Sequence, residues 1–239
     1  FLVPVIWEDR WPIVSPGIGR VEFEHAAPEL AQHNWPALPH CDQFEAPTLA
    51  YQWNFLRTPR DEFYSLSERP GFLRLYLRPQ KLSEQSSPSF VGRRQQHINF
   101  SARTVMEFTP NSVDECAGVV LLQNNIFHFR FVITQNGDGS LAARLIKRDG
   151  GEESLLAEQT VGGARFYFKV EAVGQAYSFY IATEADQWQP VAEAVDGRIL
   201  STPVAGGFVG AYIGVYASSN GKSSQNRADF DWFEYTSEN

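Results

Sequence analysis

The 239-residue chain carries 43% hydrophobic and 14% aromatic residues, enough apolar material for one large all-β domain, since sandwiches and barrels of this size fold as single units. Its net charge of -8 and pI near 5.2 exclude the basic stripe with which proteins hold nucleic acid or an anionic membrane surface, and leave a neutral or cationic partner. No apolar run is long enough to span a bilayer and the opening FLVPVIWEDRW lacks the basic n-region of a signal peptide, so the chain reads as soluble, cytoplasmic or secreted, with no membrane partner.

The chain does not begin with Met, which points to a mature product or a fragment. Residues 1–40 are interrupted by Pro4, Pro12, Pro16, Pro28, Pro36 and Pro39, with Trp7, Trp11 and Trp35 between them. Proline cannot sit in a central strand, so an extended strap is predicted here, and its three tryptophans mark it for packing on the sandwich or on another domain. From residue 41 onward the regular segments have the period of two that marks a half-buried strand.

Strands are predicted at Tyr51 to Leu56, at Phe72 to Leu77 after a helical turn near Asp61 to Leu66, and at Ile98 to Phe108, Val119 to Gln123 and Phe127 to Ile133. Others follow at Leu141 to Lys147 and Ser154 to Thr160. Phe166 to Ala172 and Tyr177 to Ile181 flank Gly174 as a hairpin, and Phe208 to Ala217 and Ala228 to Tyr235 complete the series. Turn signals fall between them, among them Pro70-Gly71, Asn136-Gly137-Asp138-Gly139, Asp149-Gly150-Gly151 and Gly206-Gly207. About a dozen short strands punctuated in this way predict two packed antiparallel sheets, a jelly-roll β-sandwich over residues 41–239.

Few residues invite chemistry. Cys41 and Cys116 lie far apart without metal-ligand spacing, so a disulfide and two separate thiols both stay open. Asn99-Phe100-Ser101 has the form of a glycosylation sequon. The neighbouring acids Glu8/Asp9, Asp61/Glu62, Asp114/Glu115 and Glu152/Glu153 point to opposite faces of any strand they occupy; they read as solvated turns, not as the paired acids of a glycosidase. Asp229 and Asp231 share a face, and with Asp42 or Glu45 they form a candidate set for a structural calcium ion. The five histidines have no ligand spacing that suits zinc, and no G-x-S-x-G motif occurs. By its residues the chain is non-catalytic.

One stretch breaks the pattern: SFVGRRQQH, Ser89 to His97. Counting by twos from Gln95 places His97, Asn99, Ser101 and Arg103 on one face, with Ile98, Phe100, Ala102, Thr104 and Met106 on the other. The first face is a row of donors and acceptors suited to sugar hydroxyls, which Gln123, His128 and Arg130 would extend from neighbouring strands. Phe90 offers an apolar surface for a pyranose ring.

The runs WEDRWPIVSPGIGRV, WNFLRTP, YSLSERPGFLRL, SFVGRRQQH, ECAGVVLLQN, GFVGAYIGVYA and ADFDWFEY together resemble, in order and over nearly the whole chain, the C-terminal domain of glycoside hydrolase family 43 β-xylosidases. That resemblance implies a concanavalin A-like sandwich following a five-bladed propeller that carries the catalytic acids. It also implies a loop sent toward the propeller's active site, here Ser89 to Arg94, with Phe90 closing the sugar pocket and Arg93 or Arg94 fixing neighbouring structure. The strap would then be the linker leaving the propeller. Without a propeller the hydrolase activity does not carry over, and three roles follow: an accessory module of a xylan-degrading enzyme, an autonomous module for xylan or xylo-oligosaccharides like carbohydrate-binding module family 91, or a structural unit stabilising the propeller or a homo-oligomer.

Overall fold

The computed structural model describes residues 3–27, 29–36, 39–208 and 210–237. Pro28 of the proline series, Phe1 and Leu2 at the start of the strap, and Val209 within the segment Phe208 to Ala217 lie outside the described residues. The chain divides into two units, Phe1–Leu38 and Pro39–Asn239.

The first unit opens with a hairpin where the sequence predicts only extended chain: β1 (Val5–Glu8) pairs antiparallel with β2 (Trp11–Val14). Asp9 and Arg10 both take positive φ, 49° and 66°, as the two central residues of a type I′ turn must, because that turn matches the right-handed twist of the strands. Pro12 is tolerated because a two-stranded ribbon consists of edges only. Trp7, Trp11 and Trp35 are 70%, 71% and 83% exposed.

In chain order the larger unit contains β3 (Cys41–Asp42), β4 (Asn54–Phe55), β5 (Tyr64–Ser65), β6 (Leu73–Tyr76), β7 (Ser89–Arg94), β8 (Phe100–Glu107), β9 (Cys116–Asn124) and β10 (Phe127–Gln135). There follow β11 (Leu141–Asp149), β12 (Glu152–Val161), β13 (Arg165–Val173), β14 (Ala176–Ala182), β15 (Gln189–Asp196), β16 (Tyr212–Ser218) and β17 (Arg227–Ser237), with a short helix, α1 (Thr202–Ala205), between β15 and β16. One sheet runs β12-β11-β10-β9-β16-β7-β4, the other β15-β14-β13-β8-β17-β6-β5 with β3 on β17. The result is a β-sandwich of two antiparallel sheets.

Alternation explains the core. Phe129, Phe131 and Ile133 of β10 face Phe166, Phe168 and Val170 of β13 and Phe179 of β14 across the interior, with Phe131 meeting Phe168 edge to face at 5.1 Å. Of the predicted inward face of β8, Phe100, Ala102 and Met106 lie in the core and Thr104 is buried, whereas Ile98 precedes the strand and is 73% exposed.

Three readings are corrected. The segment near Asp61 to Leu66 contains β5 and no helix; the helix is α1. Ser89 to Arg94 is a strand, not a loop. It escaped the period-two search because it is covered on both faces, with all positions from Ser89 to Arg93 buried. Lastly, the polar row from β8 does not continue onto Gln123, His128 and Arg130, because β8 belongs to one sheet and β9 and β10 to the other.

Candidate functional site

Along β7 the side chains alternate. Val91 faces the core, while Phe90 joins a second apolar cluster on the outer face of its sheet, with Leu82, Cys116, Val120, Leu122, Val132 and Tyr216. The Phe90 ring lies over Gly92, two residues along on the same face: a Cβ there would sit 2.3 Å from the Phe90 Cζ atom. Phe90 is 1% exposed. Its ring is sealed between its own strand and the segment carrying Leu82 and offers no face to a sugar.

The polar residues after Phe90 do come together, at the far end of β7. Arg93 points inward and places its guanidinium 4.6 Å from the centre of the Tyr235 ring, a cation–π arrangement, and donates from Nη2 to Gln96 Oε1 at 3.1 Å. Burial pulls this guanidinium below its ordinary value. The Tyr235 hydroxyl accepts the backbone N–H groups of Gln96 and His97 at 3.0 and 3.2 Å, which fixes the turn leaving β7. The Gln95 Oε1 accepts from the Tyr177 hydroxyl at 3.1 Å, and the Gln95 backbone N–H donates to the Ala211 carbonyl at 3.0 Å.

Arg94 emerges on the outer face. It stacks over Tyr212 at 4.1 Å and donates from Nη1 to the Gly210 carbonyl at 3.3 Å. Gln123 on β9 donates from Nε2 to the Gly206 carbonyl at 3.4 Å. Both ends of the turn between α1 and β16 are thus held by side chains from β7 and β9. Gly206, Gly207 and Gly210 take φ values of 71°, 74° and 73°, a conformation that only glycine adopts freely. Between them stands Phe208, 101% exposed. Sequence reasoning placed Phe208 inside a strand because FVGAYIGVYA alternates; the three flanking glycines were the signal against it.

Arg103 does not join this group. It lies on β8 of the other sheet, on the face opposite the core residues Phe100 and Ala102, in an ion pair with Glu234. His128 is fully buried under the outer face of its sheet. Burial, reinforced by the nearby Arg130 charge, holds its imidazole down at about 3, and its Nδ1 lies 3.3 Å from the Asn124 carbonyl oxygen. Arg130 pairs with Glu153 at 2.7 Å.

The acids proposed for calcium are engaged elsewhere. Asp42 accepts from Trp53 Nε1 at 2.7 Å and from the Phe44 N–H at 2.9 Å; Asp231 pairs with Arg165; Asp229 takes Arg74 through both oxygens, at 2.7 and 2.8 Å, and Arg69 at 2.9 Å. Among the described residues no group of three or more His, Cys, Asp or Glu side chains could hold a metal ion. Cys41 and Cys116 are free thiols, the second buried.

The arrangement displays an aromatic ring and a polar rim and brings no paired acids together with them. A family model described as the β-xylosidase C-terminal concanavalin A-like domain of glycoside hydrolase family 43 matches residues 41–236. A xylosidase/arabinosidase of Butyrivibrio fibrisolvens is 37% identical over 235 residues, covering 98% of this chain and 45% of that protein. A non-reducing end α-L-arabinofuranosidase of Bacteroides ovatus is 35% identical over 237 residues, covering 98% and 44%. Among solved structures, a family 43 protein from a Bacteroides ovatus xyloglucan locus superposes with a TM-score of 0.93 at 34% identity, over 100% of this chain and 47% of that one. The chain spans about half the length of the curated relatives it matches.

Proposed function

Because the chain belongs to the family of β-xylosidase C-terminal concanavalin A-like domains, we propose that it serves a xylan-degrading glycoside hydrolase of the xylosidase or arabinofuranosidase type by docking on a propeller catalytic domain and completing its sugar pocket. The observation that carries this reading is Phe208. A fully exposed aromatic ring is costly to leave in water, and here it stands on a turn of left-handed glycines pinned at Gly206 by Gln123 and at Gly210 by Arg94. Such bracing suits a side chain that must enter a partner's pocket at a fixed position.

In this reading Phe208 takes the pocket-closing role that the family resemblance implies for Phe90, and Arg94 and the Gln95 backbone support the turn from below. Arg93 holds Tyr235 and the exit of β7. The exposed Trp7, Trp11 and Trp35 suit an interface with the catalytic domain, since aromatic anchors dominate protein contacts. The chain supplies no catalytic acid of its own; it would exclude water and position the sugar ring. The test is a chimera in which this chain replaces the matching part of the Butyrivibrio fibrisolvens xylosidase/arabinosidase, assayed on an aryl β-xyloside and an aryl α-arabinofuranoside with and without Phe208→Ala. Loss of turnover with unchanged melting supports the reading, and unchanged turnover overturns it.

A further inference from the structure

A cavity of about 550 Å³ opens at the Ser89 end of β7, the end opposite Arg94, and three guanidinium groups line it: Arg57, Arg60 and Arg78. Most arginines of the sandwich hold a carboxylate, as Arg69, Arg74, Arg103, Arg130, Arg144 and Arg165 do. None of these three is ion-paired among the described residues. Arg57 and Arg60 are exposed and Arg78 is half-buried, so in a chain of net charge -8 three cations without an ion pair share one cavity. Among the described residues the lining holds one carboxylate, Asp61, whose charge acts on Arg78.

The cations are positioned by neutral groups. Arg57 donates from Nη1 to the Ser86 carbonyl at 2.6 Å and holds a left-handed backbone, φ 67°, a strained state that persists where surrounding structure enforces it. Arg78 donates from Nε to Ser89 Oγ at 3.1 Å and from Nη2 to the Ser87 carbonyl at 2.5 Å, and burial lowers its pKa. Carbonyls and hydroxyls orient a guanidinium without cancelling its charge, so with three arginines against Asp61 the cavity keeps a net positive field. Gln80 Oε1 and Ser86 Oγ, which belong to the same lining, are buried without a hydrogen-bond partner, whereas buried polar atoms are ordinarily satisfied.

The geometry points to a binding site for a hexuronate unit, a sugar whose carboxylate meets the arginines and whose hydroxyls meet Gln80 and Ser86. Arginine presents a planar fork that matches a carboxylate, the cavity volume lies in the range of small-ligand sites, and the two unpartnered oxygen atoms supply what a simple anion would not use. This goes beyond the docking role proposed above, and it is tested on this chain alone, so that its failure and the failure of that role are separable.

The experiment is titration of the chain with sodium D-glucuronate, D-glucose and sodium sulfate, followed by calorimetry and by amide chemical shifts. Glucose differs from glucuronate only in carrying a hydroxymethyl group where glucuronate has its carboxylate, and sulfate carries charge without the hydroxyl pattern. The proposal expects saturable glucuronate binding, about tenfold or more tighter than either control, as charge-assisted hydrogen bonds imply, with shifts confined to residues around Arg57, Arg78 and Gln80. Arg60→Ala, at an exposed side chain with no partner to lose, and Gln80→Leu should each weaken glucuronate by a similar factor without changing the melting temperature. Equal binding of glucose, equal binding of sulfate, or an Arg60→Ala affinity identical to the parent would each overturn it.

Discussion

Arg94, the last residue of β7, donates to the carbonyl of Gly210 at 3.3 Å while its guanidinium lies 4.1 Å over the Tyr212 ring. One side chain thereby ties the polar run SFVGRRQQH to the glycine turn that displays Phe208. Replacing Arg94 with Ala removes both contacts at an exposed site, and a loss of about 1 kcal/mol follows from the hydrogen bond. Amide exchange should accelerate over residues 206–211, and β7 itself should keep its protection. Unchanged exchange in that turn would show that Arg94 does not brace it.

Phe90→Ala is expected to act on stability alone. The ring fills the cluster between Leu82 and Tyr216 and covers Gly92, so truncation opens a cavity costing about 3–5 kcal/mol, read as a fall in the denaturant midpoint. Gly92→Ala should be nearly as harmful, because its new methyl group would occupy the place of the Phe90 ring. A Phe90→Ala chain of parental stability would contradict the sealed position described for this ring.

Acid should weaken the fold through Asp229. Burial alone would raise its carboxyl, but the bonds from Arg74 and Arg69 outweigh burial and leave it below the ordinary carboxylate value. A depressed folded pKa gives stability that is present above the unfolded value near 3.8 and is lost as pH falls through the folded one. Asp229→Asn should lower stability at pH 7 by about 2 kcal/mol, since Arg69 and Arg74 lose their buried charge partner and keep only Glu107 and Glu68, and should flatten the acid limb below pH 4. A parallel acid limb in the variant would remove Asp229 from this account.

His128 acts in a higher window. Its folded pKa of about 3 lies below the unfolded value of 6.5, so between these values the unfolded chain binds a proton that the folded chain does not. Stability therefore falls as pH drops from 6.5 toward 3. His128→Phe should remove that slope between pH 6.5 and 4, and proton NMR of the parent should show an imidazole still neutral at pH 4.5. A His128 resonance titrating near 6.5 would contradict the buried position.

Strands with one half-exposed face and one dry face are the plainest in sequence. β13 and β14 alternate cleanly because their outward positions are partly exposed while Phe166, Phe168 and Phe179 meet the core, and β10 alternates in residue type although its outward His128 and Val132 are buried. β7 lacks that contrast because Phe90 and Val91 are both buried. β15 was missed for another reason: it carries Pro190, and its pairing with β14 shifts register beside Ala192, so no period of two survives.

The site was half legible. Arg93, Arg94, Gln95 and His97 stood out as an unusual run, and they do gather at one end of the sandwich. Their task of holding a turn was not legible, because it depends on Gly210, Ala211 and Tyr235, distant in sequence. Arg103 follows the run by only a few residues, yet the chain has by then crossed to the other sheet. Spacing in sequence could not reveal that crossing.

The most direct test of the account is the kinetics of the Phe208→Ala chimera beside its parent, with melting measured on the same samples. The account predicts at least a tenfold fall in kcat/KM, on the scale of about 1.4 kcal/mol of lost transition-state stabilisation, with no change in melting temperature. An active chimera whose kcat/KM is indifferent to Phe208→Ala would contradict it.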